Sequence, residues 1–316
     1  MKRRSFIRNS ALGTLALTIP AIRSFGNNFS ASYEIPRRVL GKTGEKLSII
    51  GFGGIMLNDN PQDFANELVS KAYELGVNYF DVAPTYGNSE ERLGPALKPY
   101  RENCFLACKT NRRDGEGAQK DLENSLRLMQ TDRFDLYQLH ALSSVDDVEK
   151  VFAPGGAMEV VEKAKKDGKI RHMGFSAHSV DAAMLAMQKY NFDSILFPIN
   201  FACWNAGNFG PQVYAEAEKR GMGILALKAM ALTRLSQGEQ KIYKNVWYRP
   251  VLDEEIMKMA LKYTLSKNIT AAVPPGQNTL FLKALEFMNE FEPVTEQEIA
   301  RLQELSNVTE PLFMHA

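Results

Sequence analysis

Cysteine is scarce, with three in 316 residues. Cys104 and Cys108 stand four apart in a segment that reads as a strand, which separates them by about 13 Å. A disulfide takes a Cα spacing of roughly 5.5 Å, so they do not pair there. No Cys-x-x-Cys occurs, and neither a structural zinc site nor an iron–sulfur cluster is indicated. A charge surplus is missing too. Lys and Arg total 38 against 37 Asp and Glu, a formal net charge of +1, which argues against nucleic acid or an anionic membrane surface as a partner. No Gly/Ser-rich or Pro-rich linker divides the chain and no short repeat stands out, so the body reads as one domain. What remains is an ordinary globular mixture, 45% hydrophobic and 24% charged.

No stable membrane span is expected either. The uncharged stretch from Ala11 to Ile22 reaches only about 18 Å as a helix, short of a ~30 Å bilayer core, and Pro20 interrupts it. Four basic residues precede it in MKRRSFIRNS, and the small polar RSFGNNFSAS follows. This is the three-part layout of an export signal over residues 1–30, ahead of a domain over residues 31–316. Arg3-Arg4-Ser5-Phe6-Ile7 resembles the twin-arginine signature, which implies export of an already folded chain by that machinery to the periplasm. Gly26 is the expected cleavage point.

Beyond the leader, short apolar runs alternate with amphipathic stretches. The strands read as Leu47–Ile50, Val77–Asp81, Cys104–Lys109, Phe134–His140, Ile170–Ser176, Ser194–Asn200, Gly223–Leu227 and Thr270–Val273. A helical pattern follows each one, beginning with Asp63–Leu75, where Phe64, Leu68, Ala72 and Leu75 keep helical spacing. Glu296–Leu305 reads as one extra helix. Eight strand–helix units in this length predict an α/β fold, a closed (β/α)8 barrel. An open dinucleotide-binding sheet is disfavoured because Gly51-Phe52-Gly53-Gly54 lacks the third glycine of its fingerprint.

In such a barrel the chemistry sits at the C-terminal strand ends. Asp81 ends the second strand with Tyr86 in its loop, Lys109 ends the third and His140 the fourth. Ser176, Asn200 and Lys228 follow at the next three. Asp81, Tyr86, Lys109 and His140, in YFDVAPTYG, FLACKT and DLYQLH, resemble the catalytic tetrad of the aldo-keto reductase superfamily. PRRVLGKTGEKLSIIGFGG is similar to that family's opening hairpin and first strand, and GKIRHMGFS to its fifth strand. The resemblance implies an NADP- or NAD-dependent reductase of an aldehyde or ketone, acting on a small-molecule carbonyl or its alcohol. Tyr86 would deliver the proton, Lys109 would favour the phenolate, Asp81 would hold Lys109, and His140 would orient the carbonyl oxygen.

On the cofactor side the resemblance points to Gly53, Ser176, Asn200, Lys228 and the Pro275-Gly276-Gln277 turn, whose backbone N–H groups suit a phosphate. The chain departs from the family elsewhere. Ala177 follows Ser176 where an asparagine is common, Leu227 and Lys228 stand where an aromatic ring often stacks, and Phe281 occupies the position of the arginine that grips a 2′-phosphate. The nearest cation is Lys283. Trp204 and Trp247, in the longer loops, are the expected substrate contacts, since aromatic platforms suit polar cyclic carbonyls such as sugars. These departures leave a second reading open, a cofactor-binding regulatory or sensory barrel with little turnover.

Overall fold

A computed structural model describes residues 34–315 apart from residue 290. The export-type segment over residues 1–30 lies outside the described residues. The chain opens on an antiparallel hairpin, β1 (Arg37–Val39) with β2 (Lys46–Ser48). Eight parallel strands follow: β3 (Phe52–Gly53), β4 (Tyr79–Asp81), β5 (Phe105–Thr110), β6 (Phe134–Leu142), β7 (Ile170–Ala177), β8 (Ser194–Pro198), β9 (Gly223–Leu227) and β12 (Ala271–Val273). They hydrogen-bond in the order β12-β9-β8-β7-β6-β5-β4-β3. A parallel bridge between Ile50 and Ala272 brings the two ends of the sheet together, making a nearly closed (β/α)8 barrel.

The strands are buried on both faces because helices cover the outside. Every residue of β5 is buried. Tyr79, Phe105, Leu136, Leu196, Leu225 and Ala271 form an inner cluster that fills the bore. The hairpin plugs the far end by adding Leu40 and Leu47 to that cluster. Gly41 makes the plug fit: its φ is +51°, and a Cβ there would lie 2.3 Å from the Gly223 nitrogen.

The outer helices are α1 (Gln62–Glu74), α2 (Ser89–Leu97), α3 (Gly115–Leu128), α4 (Val145–Phe152), α5 (Ala157–Lys166), α6 (Val180–Lys189), α7 (Phe201–Asn205), α8 (Pro211–Arg220), α9 (Glu254–Leu265), α10 (Asn278–Phe287) and α11 (Glu296–Asn307). Side chains cap several N-termini: Asp114 on α3, Ser144 on α4, Ser179 on α6 and Asp253 on α9. Thr295 and Glu298 form a full capping box on α11.

The structure departs from the sequence expectation in three places. The segment expected as the first strand divides: Lys46–Ser48 belongs to the hairpin, and the first barrel strand is Phe52–Gly53. Two short helices, α4 and α7, occupy stretches read as loop or strand end. Asn200 is the N-cap of α7, not the last residue of a strand. A second hairpin, β10 (Ala231–Arg234) with β11 (Tyr248–Pro250), stands inside the long loop after β9.

Candidate active site

The centre of the site is a buried ion pair. Lys109 Nζ donates to Asp81 Oδ1 and, at 3.2 Å, to the Val82 carbonyl. Both side chains are almost wholly shielded from water. Tyr79, two residues before Asp81 and thus on the same face of the strand, donates its hydroxyl to Asp81 Oδ2 at 3.2 Å. Both carboxylate oxygens are therefore engaged. Burial works against the Lys109 charge, but Asp81 and Tyr86 more than offset it, so the ammonium is held above its ordinary pKa.

Tyr86 is half-buried with Lys109 Nζ 5.6 Å from its ring centre. Burial pushes its phenol up to about 12, and the pull of Lys109 in the other direction is outweighed. Desolvation thus exceeds the attraction of the ammonium, and Asp81 opposes it further. The residue after Tyr86 fixes the loop. Gly87 has φ of +59°, and a Cβ there would lie 2.0 Å from Asn58 Oδ1.

His140 meets the Tyr86 ring edge-on, with ring centres 5.8 Å apart. Its Nδ1 lies 3.4 Å from Thr85 Oγ1; in the tautomer where that hydroxyl donates, the ring proton is on Nε2. Burial, then the Lys109 charge, hold the imidazole well below its ordinary pKa, so it is neutral near pH 7. Between Leu139 and Leu142 the ladder between β6 and β7 slips, and Ala141 takes a φ of +52°. Ser176 Oγ accepts from Ala141 N at 2.8 Å. Arg113 donates to the carbonyls of His140 at 2.9 Å and Ala141 at 3.1 Å, and Asp147 holds its Nε at 3.1 Å. The bulge lifts His140 out of the regular ladder, and this clamp fixes where it points. Sequence reasoning missed Tyr79, Arg113 and Asp147. Only the i, i+2 spacing of Tyr79 and Asp81 could have signalled the first.

The residues expected on the cofactor side fall into two groups. Gly53 ends β3 beside β12, where a Cβ would lie 3.1 Å from Val273 Cγ1. Pro275, Gly276 and Gln277 lead into α10, whose N-terminus no side chain caps. A Cβ on Gly276 would lie 2.5 Å from Ile55 Cγ2 and 3.2 Å from the Asn245 carbonyl. Asn245 reaches over from the loop after β10, donating to the Ile55 carbonyl at 3.1 Å and accepting from Asn58 at 3.3 Å, while Lys244 pairs with Asp59. In the second group, Asn200 Oδ1 caps α7 through Cys203 N, and its buried Nδ2 has no partner among the described residues. The donor set fits a dinucleotide: uncapped helix N–H groups and a glycine-lined turn for phosphate, plus an orphaned amide donor at the β8 end. Phe281 is buried against Phe52 and cannot reach a phosphate. Lys283 is taken up by Glu254 at 3.0 Å and Glu286 at 3.2 Å.

The two tryptophans part company. Trp204, expected at the substrate, packs in the outer layer: its ring meets Tyr214 of α8 edge-on at 5.5 Å and carries Lys267 Nζ 3.8 Å from its centre. That expectation is corrected, because the short helix α7 turns the ring toward α8 and the end of α9. Trp247 is 45% exposed beside Lys228, whose Nζ lies 5.3 Å from its ring centre. No cluster among the described residues could hold a metal ion, and none of the described helices is long and apolar enough to cross a membrane.

Comparison with known proteins agrees with this architecture. The family model described as "Aldo/keto reductase family" matches residues 49–307. L-galactose dehydrogenase of Arabidopsis thaliana is 25% identical over 322 residues, covering 89% of this chain and 99% of that enzyme. Methylglyoxal reductase YeaE of Escherichia coli is 38% identical over 136 residues, 41% of this chain and 45% of that enzyme. In fold, the holo form of aldo-keto reductase AKR11C1 from Bacillus halodurans superposes with a TM-score of 0.67 at 23% identity, covering 86% of this chain and 96% of that one. A family match over most of the described chain, on a barrel with polar groups gathered at its strand ends, settles membership: this chain belongs to the aldo/keto reductase family and is, on that ground, an NAD(P)H-dependent oxidoreductase.

Proposed function

We propose that the chain reduces an aldehyde or ketone, with Tyr86 as the general acid. The observation that carries this reading is the juxtaposition of a protonated phenol, a buried ammonium and a neutral imidazole around one mouth of the barrel. A bound nicotinamide would supply the hydride; Gly53, Asn200 and the Pro275-Gly276-Gln277 turn are the residues that would hold the dinucleotide. His140 donates Nε2–H to the carbonyl oxygen and orients it. As negative charge grows on that oxygen, Tyr86 passes its proton across, since an alkoxide is a stronger base than a phenolate even when the phenol's pKa is about 12. Lys109 then steadies the phenolate, and Asp81 with Tyr79 keeps the ammonium in place. The similarity to L-galactose dehydrogenase and the exposed ring of Trp247 favour a sugar-derived carbonyl. Reversal of the same steps oxidises the alcohol.

The leader supports export of the folded chain through the twin-arginine route, and folded export would carry a cofactor bound beforehand into a compartment without a free supply. A regulatory barrel with little turnover is the rival, and the substitutions at Ala177 and Phe281 speak for it.

Four measurements test the reading. Tyr86→Phe should lower kcat for a small aldehyde by about 10²–10⁴-fold with KM little changed; wild-type turnover in this variant would transfer support to the regulatory barrel. Titration of the purified protein with each nucleotide should give NADP and NAD affinities within about tenfold of one another, because Phe281 is apolar and Lys283 is already paired with Glu254 and Glu286; a hundredfold preference would contradict that account. Replacing Arg3 and Arg4 with lysine should retain the protein in the cytoplasm, and unchanged export by cell fractionation would refute the twin-arginine route. The fourth concerns pH. Burial lowers the pKa of His140 and takes that of His178 down to about 3. The unfolded chain binds more protons than the folded one below about 6.5, so stability should fall as pH drops through that value. Denaturant midpoints at pH 7 and pH 5 measure the slope, part of which His178→Phe should remove; a flat profile would show these rings are charged when folded.

A further inference from the structure

Lys228 is a buried cation without a counter-ion. It stands just past the end of β9 with a φ of +63°, and 8% of it is exposed. Among the described residues it takes part in no ion pair, and no carboxylate contributes to its electrostatics. What surrounds it is a set of rings: Nζ lies 5.3 Å from the centre of Trp247, 5.7 Å from Tyr248 and 6.0 Å from Phe313. Phe313 in turn stacks on His178 at 5.3 Å, which brings the imidazole after β7 to the same place. Ring faces soften the cost of desolvating an ammonium but do not replace an anion. Burial accordingly takes the pKa of Lys228 down to about 8, and an anion arriving beside it would restore the charge.

Two sources could bring that anion, the pyrophosphate of a dinucleotide or an acidic group on the substrate. The phosphate-suited features, Gly53 and the uncapped N-terminus of α10, lie at the β3 and β12 ends. The charge of Lys228 is felt on the other side: it acts on His178 and Cys203, which follow β7 and β8, and on His140 in β6. We propose that Lys228 and His178 form a subsite for a carboxylate carried by the carbonyl substrate, with Trp247 and Phe313 as its walls. Lys228 supplies the charge and the neutral His178 ring an N–H donor, which would select acidic carbonyl compounds, such as sugar acids, over neutral ones. This rests on the carbonyl-reductase reading.

The test uses the full exported protein with 4-carboxybenzaldehyde and its methyl ester, which offer the same carbonyl with and without the charge. Wild type should favour the acid by about tenfold in kcat/KM, mostly through KM, the size of one charge-assisted hydrogen bond. Lys228→Gln should erase that ratio and Lys228→Arg should keep it. A ratio near one in wild type overturns the subsite. So does Lys228→Gln lowering both substrates equally while weakening NADP⁺ binding, which would assign the lysine to the pyrophosphate. Quenching of tryptophan fluorescence by the two compounds, without nucleotide, separates this from the parent reading. Acid-selective quenching that Lys228→Gln abolishes, in a protein that reduces neither compound, keeps the subsite and removes the reductase. Equal quenching by acid and ester removes the subsite whatever the turnover.

Discussion

The site depends on keeping one ammonium charged inside a barrel. Lys109 sits where water does not reach, and an isolated lysine there would shed its proton. Asp81 prevents this, and Tyr79 occupies the second oxygen of Asp81 so that the carboxylate cannot turn away. The neighbouring effects follow from that fixed charge. It lowers the basicity of His140 and opposes the desolvation of Tyr86. The three strands that carry Asp81, Lys109 and His140 are adjacent in the sheet. Their registers, Asp81 opposite Ala107 and Lys109 opposite Gln138, set the groups at successive heights around the rim.

Much of this was legible in the chain. Strands shielded on both faces must be continuous apolar runs, and a polar residue at the end of such a run stands out. That is why FLACKT and DLYQLH announced Lys109 and His140, and why the eight-unit barrel could be read at all. What escaped was whatever depends on side chains meeting across long separations. Arg113 reads as one basic residue among many until its guanidinium is seen on the carbonyls beyond β6. The φ of Ala141 leaves no trace in an alanine. Trp204 looked like a substrate platform because the short helix α7, which turns it outward, is too brief to show a period. Lys228 was legible as a rim lysine, but not its ring-lined enclosure, since Phe313 arrives from the C-terminal segment.

The mouth of the barrel is drawn together from distant parts of the chain. Asn245 bonds to Ile55 and Asn58, and Phe313 lies among His178, Phe209 and Trp247. β3 and β12, the short strands where the sheet meets itself, contribute few ladder bonds there. These loop contacts therefore supply much of the order at the end where the polar groups gather, while the hairpin and the bore clusters supply it at the other.

The clamp on His140 also joins the interior to the surrounding medium. Arg113 and Asp147 are 19% and 25% exposed at their side chains, so their attraction is partly open to dissolved ions in a way that the Lys109–Asp81 pair is not. Two electrostatic anchors of the same constellation thus differ in their exposure to salt: the Lys109–Asp81 pair is insulated, whereas the Arg113–Asp147 pair that steadies the backbone at His140 is open to screening. A rise in salt reaches this site as a loosening of direction before it is felt as a change of charge.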